Sequence, residues 1–277
     1  MSSSSFVVAI AQAKSEPWET IWHKGQVPTW IDRYKDEFNI VNVSGIPMGN
    51  LWKFFDAFHE KKRYSEKCGK WQGRLDYLFV PWLRRNLPTW EKLPSSQIDE
   101  IQIRTNSSYI FAGRRLLGTI NWFFRETNYD FLFLTTTSSL INLRLLEKQI
   151  SEFAPSQPIY AGHILGKVPN EFVSGAGQLL NRKTAELVLQ NYRKFPHQML
   201  NDAALGLHLR NHGVQPLEIQ WCWVDSKKQV EDLRLIDLKQ TMHYRVKTST
   251  VPRQDEKVMK LLHEKLMKLS SKGKIDY

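Results

Sequence analysis

Short apolar runs alternate with stretches of helical periodicity along most of the 277-residue chain. An apolar run of about four to eight residues predicts a buried strand, whereas apolar residues spaced about three to four apart predict a helix. The runs that predict strands are "FVVAI" (6–10), "FNIVNV" (38–43), "YLFVPWL" (77–83), "YDFLFL" (129–134), "PIYAG" (158–162) and "LEIQWCWV" (217–224). This alternation predicts an α/β fold with a mostly parallel central sheet covered by helices.

The middle of the chain contains no internal repeat and no linker rich in Gly, Pro or Ser, so we expect one domain over residues 1–250. Residues 251–277 have a different pattern, an apolar stripe beside a lysine-rich face, which predicts an amphipathic C-terminal helical tail. The apolar positions of the stripe are Val258, Leu261, Leu262, Leu266 and Leu269. Two interpretations stay open: the helix packs on the domain, or it forms a foot on an anionic membrane surface.

Composition and charge narrow the classes of partner. With 42% apolar and 12% aromatic residues the chain can bury a large core, and its formal net charge of +11 favours an anionic ligand or surface. Lys and Arg are scattered, and no helix-turn-helix, zinc-finger or RNA-binding pattern is present. We therefore expect no nucleic-acid partner, although a basic nucleic-acid-binding domain is a third alternative.

The cysteines and the first apolar run bear on the compartment. Cys68 and Cys222 lie far apart and match no metal or redox spacing, which predicts structural thiols in a reducing environment. The run "FVVAIAQA" has no basic region before it, so it predicts a first strand rather than a signal peptide. We expect a cytoplasmic protein, at the inner face of the membrane if the tail is a membrane foot.

A series of short motifs runs from Thr119 to Asn211. In chain order they are Trp122, a turn at Thr136–Ser138 followed by Asn142, Tyr160 with Gly162, the small-residue run in "VSGAGQLLNR", and the pair Asn201 and Asp202. The segment resembles the fringe-like and β-1,3-galactosyl- or N-acetylglucosaminyltransferases, which are glycosyltransferases of the GT-A fold. The order of the motifs carries the resemblance, because each motif alone is short.

The resemblance implies a substrate class. We expect an inverting glycosyltransferase that takes a UDP-sugar as donor and a glycan or lipid-linked glycan as acceptor, in surface polysaccharide or glycoconjugate synthesis. An alternative is a catalytically inactive glycan-binding protein that kept the fold. Tryptophans could stack on sugar rings or fill the core, and the sequence leaves five of them unsorted. These are Trp18, Trp22, Trp30, Trp221 and Trp223.

Asp202 is the candidate catalytic base. Helical periodicity from near Asn201 to Gly213 puts Asn201 and Asp202 in the first turn, where the helix dipole favours an ionised carboxylate. Asn and Asp also cap helices without any catalytic role. The resemblance assigns proton abstraction from the acceptor hydroxyl to the second residue of an acidic pair, which here is Asp202.

The resemblance also implies residues that wall the donor and acceptor pocket. They are Tyr160, Gly162, Ser174, Gly175, Ala176, Gly177 and Asn201. Small residues at positions 174–177 let another group approach the backbone closely, whether a sugar ring or a neighbouring strand. A tight bend in a sheet therefore explains the same run.

The hydroxyl turn, Thr136, Thr137 and Ser138, stands where similar enzymes carry the carboxylates of a DxD motif. Hydroxyl groups bind a divalent cation poorly, so we expect no metal cofactor and do not favour a manganese ion. A departing nucleoside diphosphate still needs compensating charge.

The segment "MHYRVK" (242–247) places His243, Arg245 and Lys247 on alternate positions of an extended stretch, so all three are expected to face the diphosphate. A solvated basic strand edge explains the same pattern. Candidates with less support are Arg104, Arg114 and Arg115 as further cations, and Asp130 or Asp225 as metal ligands.

Overall fold

A computed structural model describes residues 5–47, 49, 84–95, 97–107, 111–197 and 199–277. Cys68 and the strand predicted at 77–83 lie outside these residues. The described strands are β1 Phe6–Ala11, β2 Asn39–Ile46, β3 Trp90–Leu93, β4 Asp99–Asn106, β5 Phe131–Thr136, β6 Ser139–Ile141, β7 Tyr160–Leu165, β8 Phe172–Asn181, β9 Leu217–Glu218, β10 Trp221–Val224 and β11 His243–Val246.

The helices lie between the strands and after them. They are α1 Trp18–Ile21, a π-helical segment Trp22–Ile31, α2 Asp32–Tyr34, α3 Ala112–Glu126, α4 Leu143–Ser151, α5 Arg182–Gln190, a 3-10 turn Tyr192–Lys194, α6 Asn201–Arg210, α7 Lys227–Asp232, α8 Leu235–Gln240 and α9 Asp255–Ser270.

Eight of the described strands form the central sheet in the order β3-β4-β2-β1-β5-β8-β7-β9. β1 pairs in parallel with β2 and β5, β2 with β4, and β7 with β9, whereas β3 and β8 run in the opposite direction. The predicted α/β architecture with a mostly parallel sheet is thus confirmed. A second sheet, β10-β11-β6, has β10 parallel and β6 antiparallel to β11.

The central sheet is covered on both faces. Along β1, Phe6, Val8 and Ile10 join one hydrophobic cluster while Val7 and Ala9 join the other, and β5 alternates in the same way. Strands buried on both faces have unbroken apolar sequences, so the apolar runs alone are enough to predict these two strands. The apolar run at 217–224, in contrast, forms two strands that belong to different sheets.

Helix α9 contributes to the larger of the two clusters. Val258, Met259, Leu262 and Leu266 are buried against a core that includes the π-helical segment Trp22–Ile31. The apolar stripe of the tail is thus used inside the protein, and in this arrangement it is covered rather than presented to a membrane. Among the described helices, none has the length and apolar character needed to cross a bilayer.

One lysine of the tail also binds the rest of the protein. Lys265 Nζ donates to the carbonyl oxygens of Val230, Glu231 and Leu233 at 2.7, 3.0 and 2.8 Å. These carbonyls lie at the C-terminal end of α7, where backbone acceptors lack helical partners and a cation is favoured. Lys265 therefore fastens α9 to α7.

We expect Lys265→Met to lower the free energy of unfolding by about 1–2 kcal/mol, because it keeps the aliphatic stem and removes three charge-assisted hydrogen bonds. Urea denaturation followed by circular dichroism would measure the change. Lys268→Met, on the exposed side of the same helix, is the matched control and should change stability by less than about 0.5 kcal/mol. Equal effects of the two substitutions would contradict a fastening role for Lys265.

Candidate functional site

The hydroxyl turn lies at the carboxyl end of β5, between the two sheets. Thr137 and Ser138 are buried, and Ser138 has no exposed surface. The preceding Thr135 donates its hydroxyl to the carbonyl of Ala176 at 2.8 Å, which joins the turn to β8. The turn is therefore rigidly placed at the edge of the sheet where ligands of α/β proteins bind.

Two guanidinium groups contact the hydroxyl turn. Arg245 Nη1 donates to Thr136 Oγ1 at 2.5 Å and to the carbonyl of Ser138 at 3.4 Å. Arg253 Nη2 donates to Ser138 Oγ at 2.9 Å. Arg245 was predicted at this place, but Arg253 was not, because no local pattern distinguishes it from other surface arginines.

Arg253 is held in place by a buried carboxylate. It forms an ion pair with Asp255, which has no exposed surface and also accepts hydrogen bonds from the amide and hydroxyl of Thr248 at 2.9 and 2.8 Å. The Arg253 guanidinium lies 4.6 Å from the centre of the Trp18 ring, a cation–π distance. The buried acid and the indole together orient Arg253 toward the turn.

These residues do not fit a divalent cation. A hard cation takes several oxygen ligands and prefers anionic ones, but the turn offers hydroxyls that already accept from two arginines. Within the described ranges, no group of three or more His, Cys, Asp and Glu side chains is arranged to hold a metal ion.

A cavity of about 230 Å³ opens beside the turn. Its wall includes Trp18, Arg115, Thr136, Thr137, Gly175, Asn201 and Arg245. It also includes Ala112, Arg115, Leu116 and Thr119, which recur on one side of α3, so this helix lies along the cavity wall. Its described lining contains two arginines and no carboxylate, which suits an anionic ligand.

Asp202 lies directly behind one wall of the cavity. It is the second residue of α6, half-buried, and its Oδ2 accepts the amide of Gly175 at 3.1 Å. Its Oδ1 accepts the amide of Ala203 at 2.8 Å. Gly175, which donates to this carboxylate, and Asn201, which precedes Asp202 in the chain, both line the cavity, whereas Asp202 does not.

The small residues of β8 have different roles. Gly177 faces His243, because a Cβ built on it would lie 2.6 Å from His243 Nδ1 and 3.1 Å from the Phe133 ring. Gly162, with φ of +152°, would place a Cβ 2.3 Å from the carbonyl oxygen of Gly177. At Gly175, which also lines the cavity, a Cβ would lie 3.2 Å from Asp202 Oδ2, so at all three glycines the close approach is between parts of the protein.

Two more of the predicted wall residues, Ser174 and Tyr160, are buried and form hydrogen bonds within the protein. Ser174 is buried, and its Oγ accepts the amide of Ala176 at 3.3 Å within β8. Tyr160 is buried, accepts the amide of Val173 on its hydroxyl at 2.9 Å and has a raised pKa because of burial. Tyr160 belongs to the core cluster under β8 and does not line the cavity.

His243 is enclosed rather than presented to a ligand. Its side chain is buried, with Nε2 3.1 Å from Ser139 Oγ. Burial lowers its pKa to about 3, with smaller contributions from Arg245 and His163. His243 was expected to face the diphosphate, but its imidazole is enclosed by Ser139, Phe133 and Gly177 and does not line the cavity.

The other predicted cations lie in separate parts of the structure. Lys247 is exposed beyond the end of β11 and does not line the cavity. Arg104 forms an ion pair with Glu91 at 2.9 Å between β4 and β3, at the far edge of the sheet. Arg114 is half-buried near His197, and of these candidates Arg115 lies in the lining.

The remaining candidates have structural positions. Trp122 is buried near the opposite edge of the sheet, and Asn142 caps α4 by accepting the amide of Leu145 at 3.3 Å. Asp130 accepts the amide and hydroxyl of Ser5 at 3.1 and 3.2 Å, before β5 begins. Asp225 follows β10, and neither aspartate lines the cavity.

Comparisons with known proteins give distant similarities of shape. No family model and no curated protein sequence matches the chain. A solved structure described as a glycosyltransferase involved in the glycosylation of the major capsid of PBCV-1 is similar, with a TM-score of 0.46, 9% identity and coverage of 92% of this chain and 99% of that one. A putative glucose-1-phosphate thymidylyltransferase from Bacillus anthracis, in complex with a sucrose, has a TM-score of 0.37, 8% identity and coverage of 78% and 87%. Both TM-scores are below 0.5 and both identities are below 10%.

The burial of His243 predicts a pH dependence of stability. In the unfolded chain a histidine has a pKa of about 6.5, so below that pH the unfolded state binds a proton that the folded state, with a pKa of about 3, does not. Stability should therefore fall as the pH decreases from about 6.5 toward 3, by up to about 1.4 kcal/mol per pH unit from this residue. His197 and His208, with pKa values of about 4 from burial, add to the loss in the same direction.

Urea denaturation at a series of pH values would test this. His243→Asn should reduce the slope of stability against pH between 6.5 and 4.5, whereas His23→Asn, at an exposed position, should leave it unchanged. A His243 ring signal that titrates near pH 6.5 by NMR would contradict the burial argument.

Proposed function

We propose that this protein is an inverting nucleotide-sugar glycosyltransferase with a GT-A-like domain over residues 1–250. It transfers a sugar from a UDP-sugar to a hydroxyl of a glycan or lipid-linked glycan, without a metal ion. The observation that supports it most is the cavity, which has an arginine-bound hydroxyl turn on one wall and the Asp202 carboxylate behind the other.

The arginine side of the cavity suits the leaving group. As the bond from the anomeric carbon to the diphosphate breaks, negative charge grows on the diphosphate oxygens, and fixed positive groups stabilise that charge. Arg245 and Arg115 line the cavity and supply these groups. Guanidinium groups bind phosphate oxygens in pairs of hydrogen bonds, so they supply here what carboxylate-bound metal supplies in similar enzymes.

The carboxylate side suits the acceptor. Asp202 takes the proton of the acceptor hydroxyl, and the acceptor oxygen forms its bond to the anomeric carbon on the face opposite the departing diphosphate. The configuration at that carbon is thereby inverted. Each carboxylate oxygen has two lone-pair directions, so Asp202 can accept a proton while it holds the amides of Gly175 and Ala203.

The same two amide contacts support a second candidate function. A carboxylate that binds backbone amides in the first turn of a helix acts as a structural cap. If that is all Asp202 does, the protein is a catalytically inactive glycan-binding protein that keeps the cavity. The two functions differ in whether Asp202 carries turnover.

We expect Asp202→Asn to lower turnover on the order of a hundredfold or more, as is usual when a general base is removed. The single amide oxygen of Asn can still accept the amide of Gly175 but not that of Ala203 as well, so we expect a small decrease in melting temperature and little change in the affinity for UDP. Transfer from a panel of radiolabelled nucleotide sugars to oligosaccharide acceptors, beside isothermal titration with UDP, separates these effects. Wild-type turnover in the variant would establish Asp202 as a cap only.

Arg245→Ala should weaken binding of UDP by about 1.5–3 kcal/mol, because it removes a charge-assisted hydrogen bond to the diphosphate. Lys247→Ala removes an equal charge two residues away, outside the cavity lining, and should have a much smaller effect. Titrations with UDP in excess EDTA and in manganese should give closely similar affinities, and transfer activity should persist in EDTA. Activity that is lost in EDTA and restored by manganese would overturn the metal-independent mechanism.

A further inference from the structure

Two tryptophans lie on the outer face of β10 and form, with His163, an aromatic surface. The Trp221 ring stacks on His163, with centroids 3.9 Å apart and planes at 23°, and meets Trp223 edge to face at 6.1 Å. Trp223 is 47% exposed although it is a large apolar side chain. We call Trp221, Trp223 and His163 the tryptophan platform.

Trp221 and Trp223 lie on the side of β10 that faces away from the large hydrophobic cluster. Successive residues of a strand point to opposite faces, and Cys222 and Val224 are the residues of β10 that pack on the large hydrophobic cluster. Trp221 and Trp223 therefore occupy the face that a half-buried strand normally fills with polar residues. Exposed aromatic side chains at such positions indicate a binding surface.

The platform lies beside the cavity, on the strand next to the one that carries Arg245. Parallel pairing of β10 with β11 sets Trp221 beside His243 and Trp223 beside Arg245. The Trp221 and His243 rings lie 6.1 Å apart, and Arg245 lines the cavity and binds the hydroxyl turn. A molecule resting on Trp223 would thus extend from the edge of the anion-binding wall.

A carboxylate borders the aromatic surface. Glu218 Oε1 lies 3.0 Å from His163 Nδ1, and Oε2 accepts the amide of Ile164 at 2.8 Å, while the side chain stays 51% exposed. Flat aromatic faces beside a fixed, solvent-accessible acceptor match a sugar ring, which has apolar C–H faces and hydroxyl groups at its edge. The combination favours a carbohydrate over an apolar peptide or a lipid.

We propose that the tryptophan platform binds the glycan acceptor, with one sugar ring stacked on Trp223 and Glu218 accepting a hydroxyl of the same glycan. The assignment as an acceptor subsite rests on the proposed function. The carbohydrate affinity itself does not depend on catalysis and can be measured alone.

The test uses the intact chain and an array of surface-polysaccharide oligosaccharides. The oligosaccharide with the strongest signal is then titrated while the indole Nε1–H signals are followed by NMR, and those of Trp221 and Trp223 are expected to shift. Trp223→Ala should weaken oligosaccharide binding about tenfold or more, Trp223→Phe should weaken it less, and neither should change UDP affinity. The matched control is Ile236→Ala, which shortens an apolar side chain in α8 that is similarly exposed, at 52%.

Each outcome decides between the proposals. Wild-type oligosaccharide affinity in Trp223→Ala, or no oligosaccharide bound by the wild-type chain, would overturn the platform assignment. Loss of glycan binding in Trp223→Ala by a protein that does not bind UDP would support the platform and overturn the proposed transferase. Self-association in the ultracentrifuge that Trp223→Ala abolishes, without any glycan affinity, would overturn the assignment in favour of a protein contact.

Discussion

Burial of β1 and β5 on both faces is the constraint that determines where chemistry can occur in this protein. Neither face of these strands can carry polar side chains without losing one of the two hydrophobic clusters. Polar groups are therefore restricted to the strand ends, and Thr135 and Thr136 lie where β5 leaves the core. The cavity, the hydroxyl turn and the arginines all lie at that edge of the sheet.

The two arginines that contact the hydroxyl turn come from β11 of the second sheet and from the segment that follows it. Antiparallel pairing of β11 with β6 places Arg245 opposite Ser139, and the segment after β11 returns Arg253 to Ser138. Asp255, which has no exposed surface, balances the positive charge of Arg253. The negative charge of Asp255, which would repel an anionic ligand, thus lies behind the turn, while Arg245 lines the cavity wall.

The sequence predicts this fold unevenly, for physical reasons. β1, β2, β5 and β7 are predicted because their own apolar runs identify them, whereas β8 was not predicted as a strand because Ser174–Gly177 has neither β-branched nor aromatic residues. Arg245 could be predicted from strand alternation. The burial of His243 and the approach of Arg253 to Ser138 depend on contacts about a hundred residues apart or more, which no local pattern encodes.

The contact between Gly177 and His243 has an evolutionary consequence. A methyl group at position 177 would overlap the imidazole, which is enclosed and cannot move aside. A lineage could thus acquire a side chain at 177 only after a smaller residue had replaced His243, so the order of the two substitutions is constrained. The glycine at 177 is therefore required for packing against His243 and not for contact with a ligand.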